Sequence, residues 1–225
     1  MTTNSPFELT LNFANKLKQK LDLSGYELHN NYDVVPWKDY TFFSEYFRRA
    51  HISIVDARET RSLLMLHCTI FPHINDASPI FGLDIIAGPS RISGAFHDFS
   101  ATSENEHEMI NWFAQQVEFL DWRKPRQLPD WAQSIFTPHV VAAGALSSEV
   151  ELAQLFALCE RTFDYYLDQV GNTVIFRSDF TLPQNNYCIN QKKNPHNPRV
   201  MQMLGLTEQQ AYKYIDTVMF PEIQQ

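Results

Sequence analysis

The feature of this 225-residue chain that most restricts its fold is a pair of short, almost unbroken apolar runs. They are Leu63-Leu64-Met65-Leu66-His67-Cys68-Thr69-Ile70-Phe71 and Ile80-Phe81-Gly82-Leu83-Asp84-Ile85-Ile86-Ala87. Runs of this length and composition suit strands covered on both faces. Each is interrupted by one ionisable residue, His67 in the first and Asp84 in the second. A carboxylate in such a strand is costly unless it is paired or protonated. The polar break His73–Ser78 between the runs reads as a hairpin turn. If that turn centres between Asn75 and Asp76, facing residues have numbers summing to 151, as 67 and 84 do. Directly opposed residues have Cβ atoms about 4.5–5.5 Å apart. A second turn near Ala57–Ser62 puts His51 opposite residues 66–68, so it can join the pair.

Three readings of this His/His/Asp cluster stand side by side. It is a hydrogen-bonded core pair, or an Asp turned to solvent at a poorly covered patch. It is a proton-donating dyad, since burial raises an Asp pKa and a neutral His can relay the proton. Or His67, Cys68 and His51 ligate a metal, although no tight ligand motif supports that.

The rest of the chain supplies the layers. Ser5-Pro6-Phe7-Glu8 reads as a helix start with a capping box, followed by an apolar stripe of Phe7, Leu11 and Leu17 to about Leu21. Residues 40–56, 61–72, 79–87 and 91–99 read as sequential hairpin strands. Ser103 with Glu106 marks a second capping box, opening a helix through Met109, Ile110, Phe113, Val117 and Leu120. Ser148 with Glu151 opens a third, which stops at Gly171. Strand-like Thr173–Phe176, a polar segment Gln184–Asn197 and a last helix from Thr207 to about Phe220 follow. A helix, a run of strands and then mostly helices indicate an α+β fold with a central antiparallel sheet, helices on both faces, and one domain over residues 1–225.

Composition narrows the function classes. A net charge of −8 argues against nucleic acid as a partner. No stretch approaches the about 18 apolar residues of a membrane helix. The start MTTNSPFEL lacks a signal-peptide pattern. Three unpaired-looking cysteines, Cys68, Cys159 and Cys188, suit a reducing cytoplasm. Neither a dinucleotide-binding GxGxxG nor a P-loop is present.

The segments Leu66-His67-Cys68-Thr69-Ile70-Phe71-Pro72 and Pro79-Ile80-Phe81-Gly82-Leu83-Asp84-Ile85-Ile86-Ala87-Gly88-Pro89 closely resemble the core of the ferredoxin-dependent bilin reductases. The likeness extends through Ser93 and Asp98-Phe99-Ser100, upstream to Phe47-Arg48-Arg49-Ala50-His51, and downstream to Arg126-Gln127-Leu128-Pro129-Asp130-Trp131, Gln191-Lys192-Lys193-Asn194 and Arg199-Val200. The resemblance covers about residues 40 to 220. It implies a three-layer α/β/α sandwich in which biliverdin IXα lies between the sheet and the C-terminal helices. It implies a monomer with no bound cofactor, taking single electrons from a reduced [2Fe-2S] ferredoxin or a flavodoxin, with a radical on the substrate. By the same resemblance Asp84 is the principal proton donor and His67 shares its proton. His51 supports His67, Ser93 and Arg126 hold propionates, and Asn194 lies over the other face of the bilin.

Two departures from the phycocyanobilin-forming members bear on the product. Ser53 stands where those enzymes have Glu, two residues after the matched His51, and His196 stands where they have a propionate-side Lys. Both move the chain toward divergent relatives that look like phycoerythrobilin producers, acting through 15,16-dihydrobiliverdin. Phycocyanobilin is the alternative product, and a non-catalytic bilin carrier or lyase is the alternative of another class. Three basic clusters are candidates for meeting an acidic ferredoxin: Arg48/Arg49/Arg58/Arg61, Arg123/Lys124/Arg126 and Lys192/Lys193.

Overall fold

The computed structural model describes residues 5–24, 26–29, 37–104, 106–173 and 178–224. Helix α1 (Pro6–Ser24) leads into strands β1 (Tyr26–His29), β2 (Trp37–Phe43) and β3 (Phe47–Ala57). A single turn, α2 (Arg58–Arg61), precedes β4 (Leu63–Pro72), β5 (Ile80–Ala87) and β6 (Ile92–Ser100). Helices α3 (Glu108–Val117) and α4 (Asp130–Gln133), strand β7 (Val141–Ala143) and helix α5 (Glu149–Gln169) follow. The chain closes with α6 (Thr181–Gln191), α7 (His196–Met203), α8 (Glu208–Tyr214) and a π-helical turn, Ile215–Met219.

The strands form one sheet in the order β1-β2-β3-β4-β5-β6-β7, every neighbouring pair antiparallel. The β4–β5 ladder runs from Leu64↔Ala87 to Ile70↔Phe81, so each pair sums to 151 as the turn position requires. The stretch read as one strand over residues 40–56 is divided, because the chain reverses after Phe43 and Ser44 N–H donates to the Phe47 carbonyl.

Alternation sorts the side chains onto two faces. One face carries Phe42, Ala50, Ile52, Leu66, Cys68, Phe81 and Leu83, packed on the inner sides of α1, α3 and α5. Phe81, Phe99, Phe113 and Phe163 are fully buried there, each burial stabilising by about 1.5–3 kcal/mol. The opposite face carries Trp37, Val55, Phe71 and Ile80 under Tyr187, Met201, Ala211, Tyr214 and Phe220 of the C-terminal helices. The result is the expected α+β three-layer sandwich.

The capping boxes at Ser148/Glu151 and Thr207/Gln210 open α5 and α8. Ser5 and Glu8 bond reciprocally at the start of α1. The box expected at Ser103/Glu106 is not used. His107 caps α3 instead, its ring accepting from Met109 N–H while its other nitrogen meets Thr173 Oγ1 at 3.1 Å. The polar segment 184–197 is largely helical, because Gln184, Tyr187, Cys188 and Gln191 recur at helical spacing on a buried face. Of the expected strand Thr173–Phe176, all but Thr173 lies outside the described residues. Among the described residues no helix is long and apolar enough to cross a membrane.

Candidate active site

The face beneath the C-terminal helices is the polar one. Register places Asp39, His51, Ser53, His67, Thr69, Asp84 and Asp98 on it, across strands β2 to β6. His67 and Asp84 are directly opposed, and His67 Nδ1 lies 2.8 Å from Asp84 Oδ1. The other ring nitrogen, Nε2, lies 2.7 Å from Thr69 Oγ1. A hydroxyl rotates to donate or accept. Thr69 therefore satisfies the ring whether the shared proton sits on the imidazole or on the carboxyl.

The burial of the pair departs from a strand covered on both faces and agrees with the reading of Asp84 turned toward a poorly covered patch. His67 is buried, but the Asp84 side chain is 42% exposed. The apolar run around it reflects packing of its strand neighbours, while the helices over β2–β4 do not extend over Asp84. Phe220 meets the His67 ring edge-on at 5.6 Å. Tyr187 stands over Gly82, where a Cβ would come within 3.0 Å of its hydroxyl; the absence of a side chain at Gly82 admits that ring.

His51 is not opposite residues 66–68. It pairs with Thr69, and Ser53 pairs with His67. The α2 turn, with Ser62 left-handed at its end, sets the register one residue beyond the expected range. His51 still lies diagonally beside His67, with ring centroids 5.8 Å apart. Its Nε2 is 3.0 Å from Asp39 Oδ1, and both side chains are fully buried. Burial pushes the His51 pKa down to about 4, against the opposing effect of its hydrogen bond to Asp39. Tyr214 O–H donates to Asp39 Oδ1, and Trp37 Nε1–H donates to Ser53 Oγ at 2.7 Å. Sequence reasoning passed over Asp39, Trp37 and Tyr214. The signal for Asp39 was its phase: Trp37, Asp39 and Thr41 alternate inward on β2.

A cation site adjoins the pair. Phe96 is opposite Asp84, and the Arg126 guanidinium carbon is 5.7 Å from the Phe96 ring centroid. Arg126 Nη2 donates to the Ser93 carbonyl at 2.5 Å. Arg91, Ser93, Lys124, Arg126 and Gly144 line a cavity of about 390 Å³. A Cβ at Gly144 would fall 2.7 Å from Arg126 Nε, so glycine there makes room for the guanidinium. The face thus runs from His67 through Asp84 and Phe96 to Arg126.

Asn194 and His196 lie farther along, where α6 turns into α7. Asn194 Oδ1 accepts from His196 N–H at 3.0 Å, a bond that closes the local turn two residues on, and His196 is exposed. Among the described residues neither hydrogen-bonds to His51, His67 or Asp84.

The basic clusters are not equal. Arg49 is buried and donates to the Val218 carbonyl, Arg58 is paired with Asp56, and Lys192 is paired with Asp216 and Glu222. Arg123, Lys124 and Arg126 are exposed, and Arg91 joins them across the cavity. Buried Asp98, pushed up to about 6 by burial, accepts from Thr137 N–H and Oγ1 and from Ser100, and so pins the segment before β7.

Residues 13–221 match the family model described as ferredoxin-dependent bilin reductase. The phycocyanobilin:ferredoxin oxidoreductase of Synechococcus sp. (strain CC9605) is 31% identical over 186 residues, 77% of this chain and 71% of that one. The enzyme of the same name from Prochlorococcus marinus (strain MIT 9313) is 32% identical over 182 residues, 78% and 67% of the two chains. Among solved structures, PcyX aligns with a TM-score of 0.64 at 25% identity, covering 96% of this chain and 99% of that one. Phytochromobilin synthase from tomato, in complex with biliverdin, aligns with a TM-score of 0.70 at 15% identity, a likeness of fold over 95% and 82% of the chains.

Proposed function

The chain belongs to the ferredoxin-dependent bilin reductases and is an oxidoreductase, and from that premise we propose that it reduces biliverdin IXα to phycoerythrobilin through 15,16-dihydrobiliverdin. The observation that carries the proposal is the His67–Asp84 pair, half open on the polar sheet face with a cation site one strand beyond. A flat, dianionic tetrapyrrole laid along this face meets an acid and a base at one end and guanidinium at the other. We assign proton donation to Asp84, proton sharing to His67, support of His67 to His51, and propionate binding to Arg126 and Ser93. Asn194 and His196 are assigned to the helical side of the bilin.

The reduction adds four electrons and four protons to biliverdin. The electrons arrive singly from reduced [2Fe-2S] ferredoxin. At each protonation the Asp84 O–H bond breaks and a C–H or N–H bond forms on the reduced bilin. His67, hydrogen-bonded to the carboxylate left behind, returns a proton drawn ultimately from solvent. The protein's share is orientation and proton delivery.

The product assignment rests on Ser53. It is buried, its oxygen accepts from Trp37, and a hydroxyl is too weak an acid near neutral pH to serve the D-ring vinyl group. Protonation then favours the bridge carbon between the C and D rings, followed by the A-ring diene. The names of the relatives near 30% identity favour phycocyanobilin as a second reading. Anaerobic incubation with biliverdin and a reduced ferredoxin system, followed by chromatography, tests both. Phycoerythrobilin with a transient bridge-reduced species is expected. Phycocyanobilin as the main product would overturn the assignment, and an unchanged spectrum would overturn reductase activity on this substrate.

A further inference from the structure

Behind the open pair lies a second polar cluster that no step above uses directly. Asp39 on β2 is opposite Ser53 on β3, and both side chains sit beneath Trp37 and Tyr214. The indole N–H is a donor only, so it fixes the direction of the network. Trp37 Nε1–H donates to Ser53 Oγ at 2.7 Å and faces the Tyr214 oxygen at 3.1 Å. Tyr214 then turns its own proton to Asp39 Oδ1. The remaining contact of that oxygen, His51 Nε2 at 3.0 Å, is met by a proton from the imidazole.

We propose that Asp39 is a positioning residue of this site, holding His51 as the Nε2–H tautomer so that the unprotonated Nδ1 end of its ring is turned toward β4 and His67. A neutral imidazole has one N–H, and its dipole is positive at that end. The N–H points to Asp39 on β2, so the negative end points away, toward the strand that carries His67 5.8 Å off. His51 Nδ1 is buried without a hydrogen-bond partner among the described residues, as is Asp39 Oδ2. A lone pair so placed favours a proton on His67 and hence on the His67–Asp84 pair. The charged and titratable groups around His51 are Asp39 on β2, Arg49 beside it on β3, His67 on β4 and Tyr214 on α8. The inference deepens the functional reading and rests on it for the catalytic consequence. Unlike the carboxylate of a hydrolase triad, whose Asn replacement turns the imidazole to the wrong tautomer, Asp39 Oδ1 also accepts from Tyr214 O–H, and that second donor keeps an oxygen facing His51.

The test uses the full-length chain. Nitrogen-15 NMR of the histidine rings in wild type should show His51 protonated at Nε2. Asp39→Leu removes the acceptor at similar volume. It should release His51 to the Nδ1–H form, lower turnover at least tenfold, and move the alkaline limb of the pH–rate profile down by about one pH unit, with biliverdin affinity within about threefold. Asp39→Asn keeps an oxygen at Oδ1 and should rescue the tautomer, the profile and most of the rate. The proposal is overturned by an Nδ1–H His51 in wild type, by an Asn variant as slow as the Leu variant, or by a Leu variant with altered tautomer and unaltered pH profile. If Asp39→Leu does not fold, the wild-type tautomer and the Asn variant still decide it. Wild type that leaves biliverdin unreduced would refute the functional reading, whereas a wrong tautomer in active wild type would refute this inference alone.

Discussion

The His67 imidazole and the Asp84 carboxylate meet across one rung of the β4–β5 ladder, Nδ1 to Oδ1 at 2.8 Å, with the carboxylate on the open side and the ring beneath Phe220. This places the carboxylate oxygens where a ligand on the sheet face can reach them, while the imidazole is held dry.

Asp84→Asn keeps the shape of the side chain and removes its acid. Turnover should fall by roughly 10²-fold or more, with biliverdin binding little changed and a partly reduced radical accumulating under single-electron supply. Stopped-flow spectra and product yield measure this. Wild-type yield from the variant would mean the protons come from elsewhere.

Docking of an acidic ferredoxin should use the exposed Arg91/Arg123/Lys124/Arg126 surface rather than the Arg48/Arg49 region, where Arg49 is spent on the Val218 carbonyl. Turnover at limiting ferredoxin should drop as salt rises, since exposed charges are screened over about 10 Å at 0.1 M. Arg123→Glu, at the member of the cluster that does not line the cavity beside Arg126, should raise the KM for ferredoxin several-fold and leave biliverdin affinity alone. Steady-state kinetics that show no change in either would remove this surface from consideration.

Acid should weaken the fold through two buried histidines. Burial holds His51 and His97 each at about 4, below the ordinary 6.5. The folded state therefore binds fewer protons than the unfolded one between those values, and stability falls as pH drops from about 6.5 to 4. Each contributes about 3 kcal/mol over that window. Asp98 acts oppositely. Raised from 3.8 to about 6, it makes stability fall as pH rises through that range, by about 3 kcal/mol. The two histidines outweigh it. Urea unfolding at pH 6.5, 5.5 and 4.5 should show the decline, flatter for His97→Gln and steeper for Asp98→Asn. A His97→Gln variant with the wild-type slope would contradict the assignment to that ring, which bridges the Gly82 carbonyl and Thr162.

The sequence by itself determined the local geometry of the pair. Where the β4–β5 turn falls and the two-residue period of a strand are both local properties, and together they put His67 opposite Asp84 on one face. Capping chemistry at Ser148 and Thr207 was equally local, because donor and acceptor lie three residues apart. The tertiary structure alone decided the rest. Asp84 is half exposed because helices distant in the chain stop short of it, which no strand pattern encodes. His51 reached Asp39 and Tyr214 only when β2, β3 and α8 were stacked, joining residues 175 positions apart. Arg48 and Arg49 read as surface charge until the C-terminal turn closed over Arg49. Pairing between neighbours in sequence follows from turn and period; which polar side chains share a buried face follows from packing of elements whose separation along the chain carries no signal of their contact.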